Sequence, residues 1–253
     1  MKPDPIAYTH DLREAFALPG CPFCRRLDNA ANSQLDSMLW EMVNAPFVQE
    51  TVQQARGFCH HHGWLLVRGG AALGITILVK SVFDTLLEVL DQYDAPAGGR
   101  PLRQLRHALR LPGGAAGQLA DGLSPQKECP ICLSLKPIEA GYTSTFLNHF
   151  ISGDEPLAPH YRQSDGLCLS HFRSVVQAAG PGKTLDELVS AQRDIWQLLE
   201  AQLAEFIRKN DYRFSHEPVG EEGDAWRRAL ELLVGPPSRP GERGGLTSGL
   251  RQK

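Results

Sequence analysis

Six cysteines and two histidines of this chain fall into one pattern that occurs twice. The first occurrence reads Gly20-Cys-Pro-Phe-Cys, then a long stretch, then Gly57-Phe-Cys-His-His-His. The second reads Glu128-Cys-Pro-Ile-Cys, then a stretch of similar length, then Gly166-Leu-Cys-Leu-Ser-His. The residues able to do chemistry are therefore Cys21, Cys24, Cys59 and His62, and Cys129, Cys132, Cys168 and His171. Thirty-four residues separate Cys24 from Cys59, and 35 separate Cys132 from Cys168. No cysteine lies outside the pattern.

Three thiolates and an imidazole are a tetrahedral donor set that suits zinc and leaves no coordination position open. Cys-Pro-X-Cys reads as a tight turn that aims two sulfurs at one point. Cys-X-X-His on the first turn of a helix puts both side chains on one face. The positive helix end there favours the thiolate. Gly57 and Gly166 each stand two residues before the third cysteine and let the chain turn sharply into that helix. Taken copy by copy, each ion ties a CxxC to the CxxH downstream of it. Sequence alone does not assign ligands to centres, and a single ion shared across the copies, or ligation by His60 or His61 in place of His62, stays open. His62 matches the spacing of His171 and is the expected ligand. Free buried thiols and a redox CxxC are the competing readings; the redox reading leaves Cys59, His62, Cys168 and His171 without a role.

The elements that must position these residues read as helices. Leu27, Leu35, Met38, Leu39, Met42 and Val43 recur at spacings of three and four. Pro46 opens a second helix, with Gly57 as its cap. Leu73, Ile77, Val82, Leu86, Leu87 and Leu90 line a third. After His171 a long helix runs from Leu185 to Lys209, and a last one from Gly223 to Val234 turns Trp226, Ala229, Leu230 and Leu233 inward. No segment alternates like a strand. The expected fold is all-α, with two pseudo-repeated helical units, each carrying a Cys3His metal knuckle. The expected organisation is a first repeat over 1–93, a linker over 94–128 with a short basic helix at 102–111, a second repeat with its cap helix over 129–234, and a disordered tail over 235–253.

A chain of 253 residues with 42% hydrophobic and 22% charged residues can bury a real core. Its net charge of -3 gives no global pull towards nucleic acid. The N-terminal sequence MKPDPIAYTHDLREAF holds no apolar leader, and the longest uncharged apolar run, Gly69 to Val79, falls short of a bilayer span. A cytoplasmic protein with reduced cysteines is expected. Gly182-Lys183-Thr184 lacks the earlier glycine of a phosphate-binding loop, since position 177 is Gln. Arg103, Arg106 and Arg110 beside Leu102, Leu105 and Leu109 read as a solvated amphipathic helix.

The motifs GCPFC, RGFCHHH, ECPIC and DGLCLSH, with the closing DYRFSHEPVGEEGDAWRRALELL, resemble an uncharacterised bacterial family, domain of unknown function 6062. The resemblance covers roughly residues 6 to 234 and implies the duplicated pattern and the metal ligands. It implies no activity. The functional expectation is a helical protein holding two zinc ions that maintain the fold, with a protein partner met through the helical surface and no catalytic role. The alternatives are a redox-active protein, as iron–sulfur centres or a thiol switch, and a zinc-knuckle protein that binds nucleic acid.

Overall fold

The computed structural model describes residues 5–91, 115–153, 155–214 and 216–237. Among the described residues every regular element is helical. In chain order they are α1 (Pro5–Phe16), α2 (Pro22–Asp36), α3 (Pro46–Gln54), α4 (His60–Leu65), α5 (Ala72–Asp91), α6 (Ala115–Leu123), α7 (Pro130–His149), α8 (Ala158–Arg162), α9 (Leu169–Ala178), α10 (Lys183–Lys209) and α11 (Ala225–Val234). A π-helical turn, Ser37–Glu41, follows α2, and 3-10 turns at Tyr212–Phe214 and Glu221–Asp224 precede α11. Prolines open α2, α3 and α7, where the missing N–H costs nothing.

The chain divides into two compact units. One comprises Met1–Ala30 and Leu135–Lys253, the other Ala31–Ser134. The bounds fall inside α2 and inside α7, so they cut across the two sequential copies of the motif. The all-α reading holds, and each unit contains one Cys3His group.

The first unit is built on an aromatic core. Phe16, Phe23, Phe146, Phe150 and Tyr161 are almost wholly buried, with Leu12, Leu157, Leu167, Val175 and Leu188 around them. Their rings meet edge-on or tilted, with Phe23 and Phe146 at 5.8 Å and Phe146 and Phe150 at 5.0 Å, the geometry the ring quadrupole favours. Cys21 and Cys168 belong to this core. At the far end of α10, Lys209 pairs with Glu222 at 2.8 Å, and Arg208 pairs with Glu217. The backbone N–H of Gly220 and Lys209 hold the Glu222 carboxyl down at about 2. The segment after α10 is thereby fastened back onto the end of that helix.

The second unit packs α3 against α5 through Val48, Val52, Leu78 and Val82, and buries Leu35, Leu39, Leu65, Leu66 and Ile131. Arg68 ties the α4–α5 corner to α2 by donating to Asp36 at 2.7 Å and to Asn32 at 3.1 Å.

Five expectations need correction or fall elsewhere. The Cys-Pro-X-Cys segments are helix starts rather than free-standing turns, because the proline fits the first helical position. In α11 Ala229 packs inward as expected, but its buried companions are Ala225 and Leu232, against Leu199 and Leu203, while Trp226, Leu230 and Leu233 are exposed. Within the expected linker, residues 115–123 form α6; its Gly and Ala content had read as a break. The expected helix at 102–111 lies outside the described residues, as does the expected tail beyond Pro237.

Candidate metal centres

Each pattern cysteine that leads its pair sits where a helix begins. Arg25 N donates to the Cys21 carbonyl at 3.2 Å, Gly63 N to Cys59 at 2.8 Å, Leu133 N to Cys129 at 3.0 Å and Phe172 N to Cys168 at 2.8 Å. All four leading cysteines thus occupy N-cap positions of α2, α4, α7 and α9, with the second ligand of each pair one turn in. The helix ends supply partial positive charge and unpaired N–H groups beside the sulfurs. His62 N donates to Cys59 Sγ at 3.5 Å.

The eight side chains converge as two groups of four, but not copy by copy. One group is Cys21, Cys24, Cys168 and His171; the other is Cys59, His62, Cys129 and Cys132. In each group the ligand atoms all lie within 4.8 Å of one another. The CxxC of one stretch meets the CxxH of the other. This corrects the copy-by-copy grouping, which spacing had suggested and could not decide. The physical reason lies in the segments leading into the cysteines. Gly20 N donates to Asp165 Oδ2 at 2.6 Å, which ties the approach to Cys21 to the loop before Cys168. Gln126 N donates to Gln54 O at 2.8 Å, which ties the approach to Cys129 to the end of α3, shortly before Cys59.

The spacings are those of one ion per group. A tetrahedral ion with bonds of about 2.3 Å to sulfur and about 2.0 Å to nitrogen has sulfur–sulfur edges of about 3.8 Å and sulfur–nitrogen edges of about 3.5 Å. In the first group His171 Nδ1 lies 3.5, 3.3 and 3.2 Å from the sulfurs of Cys21, Cys24 and Cys168, and Cys24 lies 3.6 Å from Cys168. In the second, His62 Nδ1 lies 3.3, 3.6 and 3.3 Å from the sulfurs of Cys59, Cys129 and Cys132, and Cys132 lies 3.6 Å from Cys59. All six cysteines are free thiols; sulfurs at such distances are not bonded. His62, not His60 or His61, turns its Nδ1 to the sulfurs. His60 is exposed with its ring edge-on to Trp64, and His61 meets His62 edge-on at 4.9 Å.

Taken as side chains alone, the groups set protons against one another. Hydrogen bonds from Cys21 and Cys24 hold Cys168 far below the usual thiol range, and the bond to Cys168 pushes Cys24 far above it. Burial opposes a charged His171, yet the sulfurs of Cys168 and Cys21 lift it to about 10. In the second group burial raises Cys132 to about 12. Burial is the largest influence on Cys129 and raises it, but the hydrogen bonds to His62 and to the backbone of Cys132 and Cys59 together outweigh it and bring that thiol below its usual value. A divalent ion held at such a group would displace the protons and supply the positive charge that closely packed sulfurs favour.

The two surroundings differ. Cys21 and Cys168 are 5% and 2% exposed, inside the aromatic core, and the His171 ring lies 5.6 Å from Phe23. The cysteines of the second group are all half-buried. His171 also has an acidic neighbour on its far side, with Nε2 3.9 Å from Glu139 Oε1.

Sequence reasoning missed the clamp behind Cys168. Leu167 N donates to Gln192 Oε1 at 3.1 Å and to Tyr161 Oη at 3.3 Å, and Tyr161 Oη–H donates to the same Gln192 oxygen. Both side chains are buried. Gly166 has φ +75°, and a Cβ there would come within 2.9 Å of the Gln192 amide nitrogen. Gly57 has φ +103° with open space around it. The signal was a Gln set in the apolar stripe Leu188, Ala191, Gln192, Ile195 and Leu199. Among the described residues no helix is long and apolar enough to cross a membrane.

The chain belongs to a family of unknown function, DUF6062, which matches residues 5–239. No curated protein and no solved structure matches it.

Proposed function

We propose that this member of DUF6062 binds two zinc ions, one in each Cys3His group, and that the ions hold the helical units in the form that meets a protein partner. The observation that carries the proposal is the convergence of eight donors into two groups with the edge lengths of a tetrahedral ion. Four protein ligands per ion leave no open position, which supports a structural role over a catalytic one. In a 4Fe–4S cluster each ligand binds a different iron, and in a 2Fe–2S cluster the four ligands fall in pairs on two irons, so in either case the full set spreads apart; the short edges throughout each group support a single ion instead. A structural zinc can contribute on the order of 10 kcal/mol to a small fold.

Elemental analysis of untagged protein purified without air tests the reading directly. Two zinc per chain and a colourless solution are expected. Cobalt substitution should produce thiolate-to-cobalt charge-transfer bands and tetrahedral d–d bands, and Cys21→Ser or Cys129→Ser should each lower the melting temperature sharply. Iron with acid-labile sulfide in the purified protein, or no bound metal at all, overturns it.

A further inference from the structure

Helix α5 is apolar on two opposite faces, and only one of them is used within its unit. Gly74, Leu78, Ser81 and Val82 are buried on one side. On the other side Leu73, Phe83, Leu87 and Leu90 are 72, 58, 54 and 47% exposed. With Thr76 and Lys80, also exposed, they form the series 73, 76, 80, 83, 87, 90. At 100° per residue this series is centred opposite the buried face. Scattered exposed apolar residues are ordinary, but four large ones on one line of a helix over about five turns, interrupted only by Thr76 and Lys80, are not.

The spacing of the stripe is three, four, three, four, three. That is the 3.5-residue repeat of a helix-to-helix seam, narrower than the face a helix turns to a globular core. We infer that α5 pairs with α5 of a second copy of this chain in antiparallel orientation. The series is self-complementary in that orientation alone. Reversed against itself, it sets Leu73 opposite Leu90, Thr76 opposite Leu87 and Lys80 opposite Phe83, at every layer. A parallel pair would set Lys80 against Lys80 in the middle of the seam, two like charges with apolar neighbours.

The central layers also match in charge. Lys80 is bound to Asp84 of its own helix at 2.7 Å. About the two-fold axis, two Lys80 and two Asp84 side chains alternate in sign around the paired Phe83 rings. The Lys80 stem covers the opposing ring, and its ammonium meets the ring face. Thr76 is no obstacle, since its hydroxyl already donates to Ala72 O at 2.7 Å and leaves the methyl for the seam. A helix of 20 residues is about 30 Å long. One such seam stands at the small end of specific interfaces, so the dimer is concentration-dependent.

The test uses the full chain with its metals in place. Sedimentation equilibrium across a concentration series should show a monomer–dimer equilibrium. Leu87→Glu should weaken it at least tenfold, with helicity and metal content unchanged because the residue is exposed. Lys80→Ala gives a second, milder reading and should weaken it less. A photo-crosslinking benzoylphenylalanine in place of Leu90 should join two chains, with the adduct mapped to the neighbourhood of Leu73. The inference is overturned by a monomer at all concentrations, by a dimer that Leu87→Glu leaves intact, by an adduct to position 90 of the second chain, or by an adduct within one chain.

Discussion

Cys24 and Cys168 stand 144 positions apart, and their sulfurs are 3.6 Å apart. Cys59 and Cys132 repeat the relationship across 73 positions at the same distance. Each centre therefore draws one ligand pair from each motif stretch, and neither stretch can complete a centre alone. The consequence is visible in double substitutions. Cys24→Ser with Cys168→Ser should lose one metal, as each single change does, because both act on one centre. Cys24→Ser with Cys59→Ser should lose both. Metal counting by native mass spectrometry checks this, and grouping copy by copy predicts the reverse result for the two doubles.

The second centre should release its ion first. Its three cysteines are half-buried, whereas Cys21 and Cys168 lie within the aromatic core, and thiolate reactivity follows exposure. Under limiting chelator or a thiol-alkylating reagent, Cys59, Cys129 and Cys132 should be modified before Cys21, Cys24 and Cys168. Peptide mapping at partial modification reads the order. Equal rates, or the opposite order, would show that burial does not set access here.

The convergence of the eight Cys and His side chains was legible because it is carried by residue type and by local spacing. Cys59 and Cys168 had to begin helices for CxxH to present one face, and they do. The assignment of donors to centres was not legible. It rests on backbone contacts such as Gly20 N to Asp165, between residues 145 apart, for which a single sequence has no periodicity. The α11 stripe was misread for a related reason. Apolar periodicity marks a face, but which face meets α10 is decided by the segment 211–224 that delivers the helix. The stripe on α5 was legible as apolar residues, though not as two separate faces.

Glu139 should act on the first centre alone. His171 presents Nδ1 to the sulfurs and Nε2 to Glu139 Oε1 at 3.9 Å. A carboxylate behind a ligating imidazole orients the ring and makes it a better donor, and losing such a partner costs roughly ten- to a hundredfold in metal affinity. Glu139→Ala should weaken one of the two metals by up to roughly tenfold, the low end of that range because the 3.9 Å contact is longer than a hydrogen bond, with the other unchanged. Competition titration against a chromophoric chelator measures both. Two equally weakened metals, or none, would remove Glu139 from the centre.

Gly166 and Gly57 make a matched pair for the last prediction. Both adopt positive φ two residues before a ligand cysteine. Placing alanine at either adds the backbone strain of that region, of order 1 kcal/mol. Only at Gly166 does the new Cβ also meet a side chain, at 2.9 Å from the Gln192 nitrogen. Gln192 cannot retreat without giving up the bonds it accepts from Leu167 N–H and Tyr161 Oη–H; Leu167 N–H keeps Tyr161 Oη as an acceptor, but the buried Tyr161 hydroxyl loses its own, and a buried donor left unpaired costs about 1–3 kcal/mol. Gly166→Ala should therefore destabilise the protein more than Gly57→Ala by about 1–3 kcal/mol. It should also weaken the metal bound by Cys168 and His171. Gln192→Ala, which clears the clash and removes the clamp, should not restore that affinity. Thermal melts of the three variants with metal counted before and after decide it; equal destabilisation at the two glycines would mean the clamp yields at no cost.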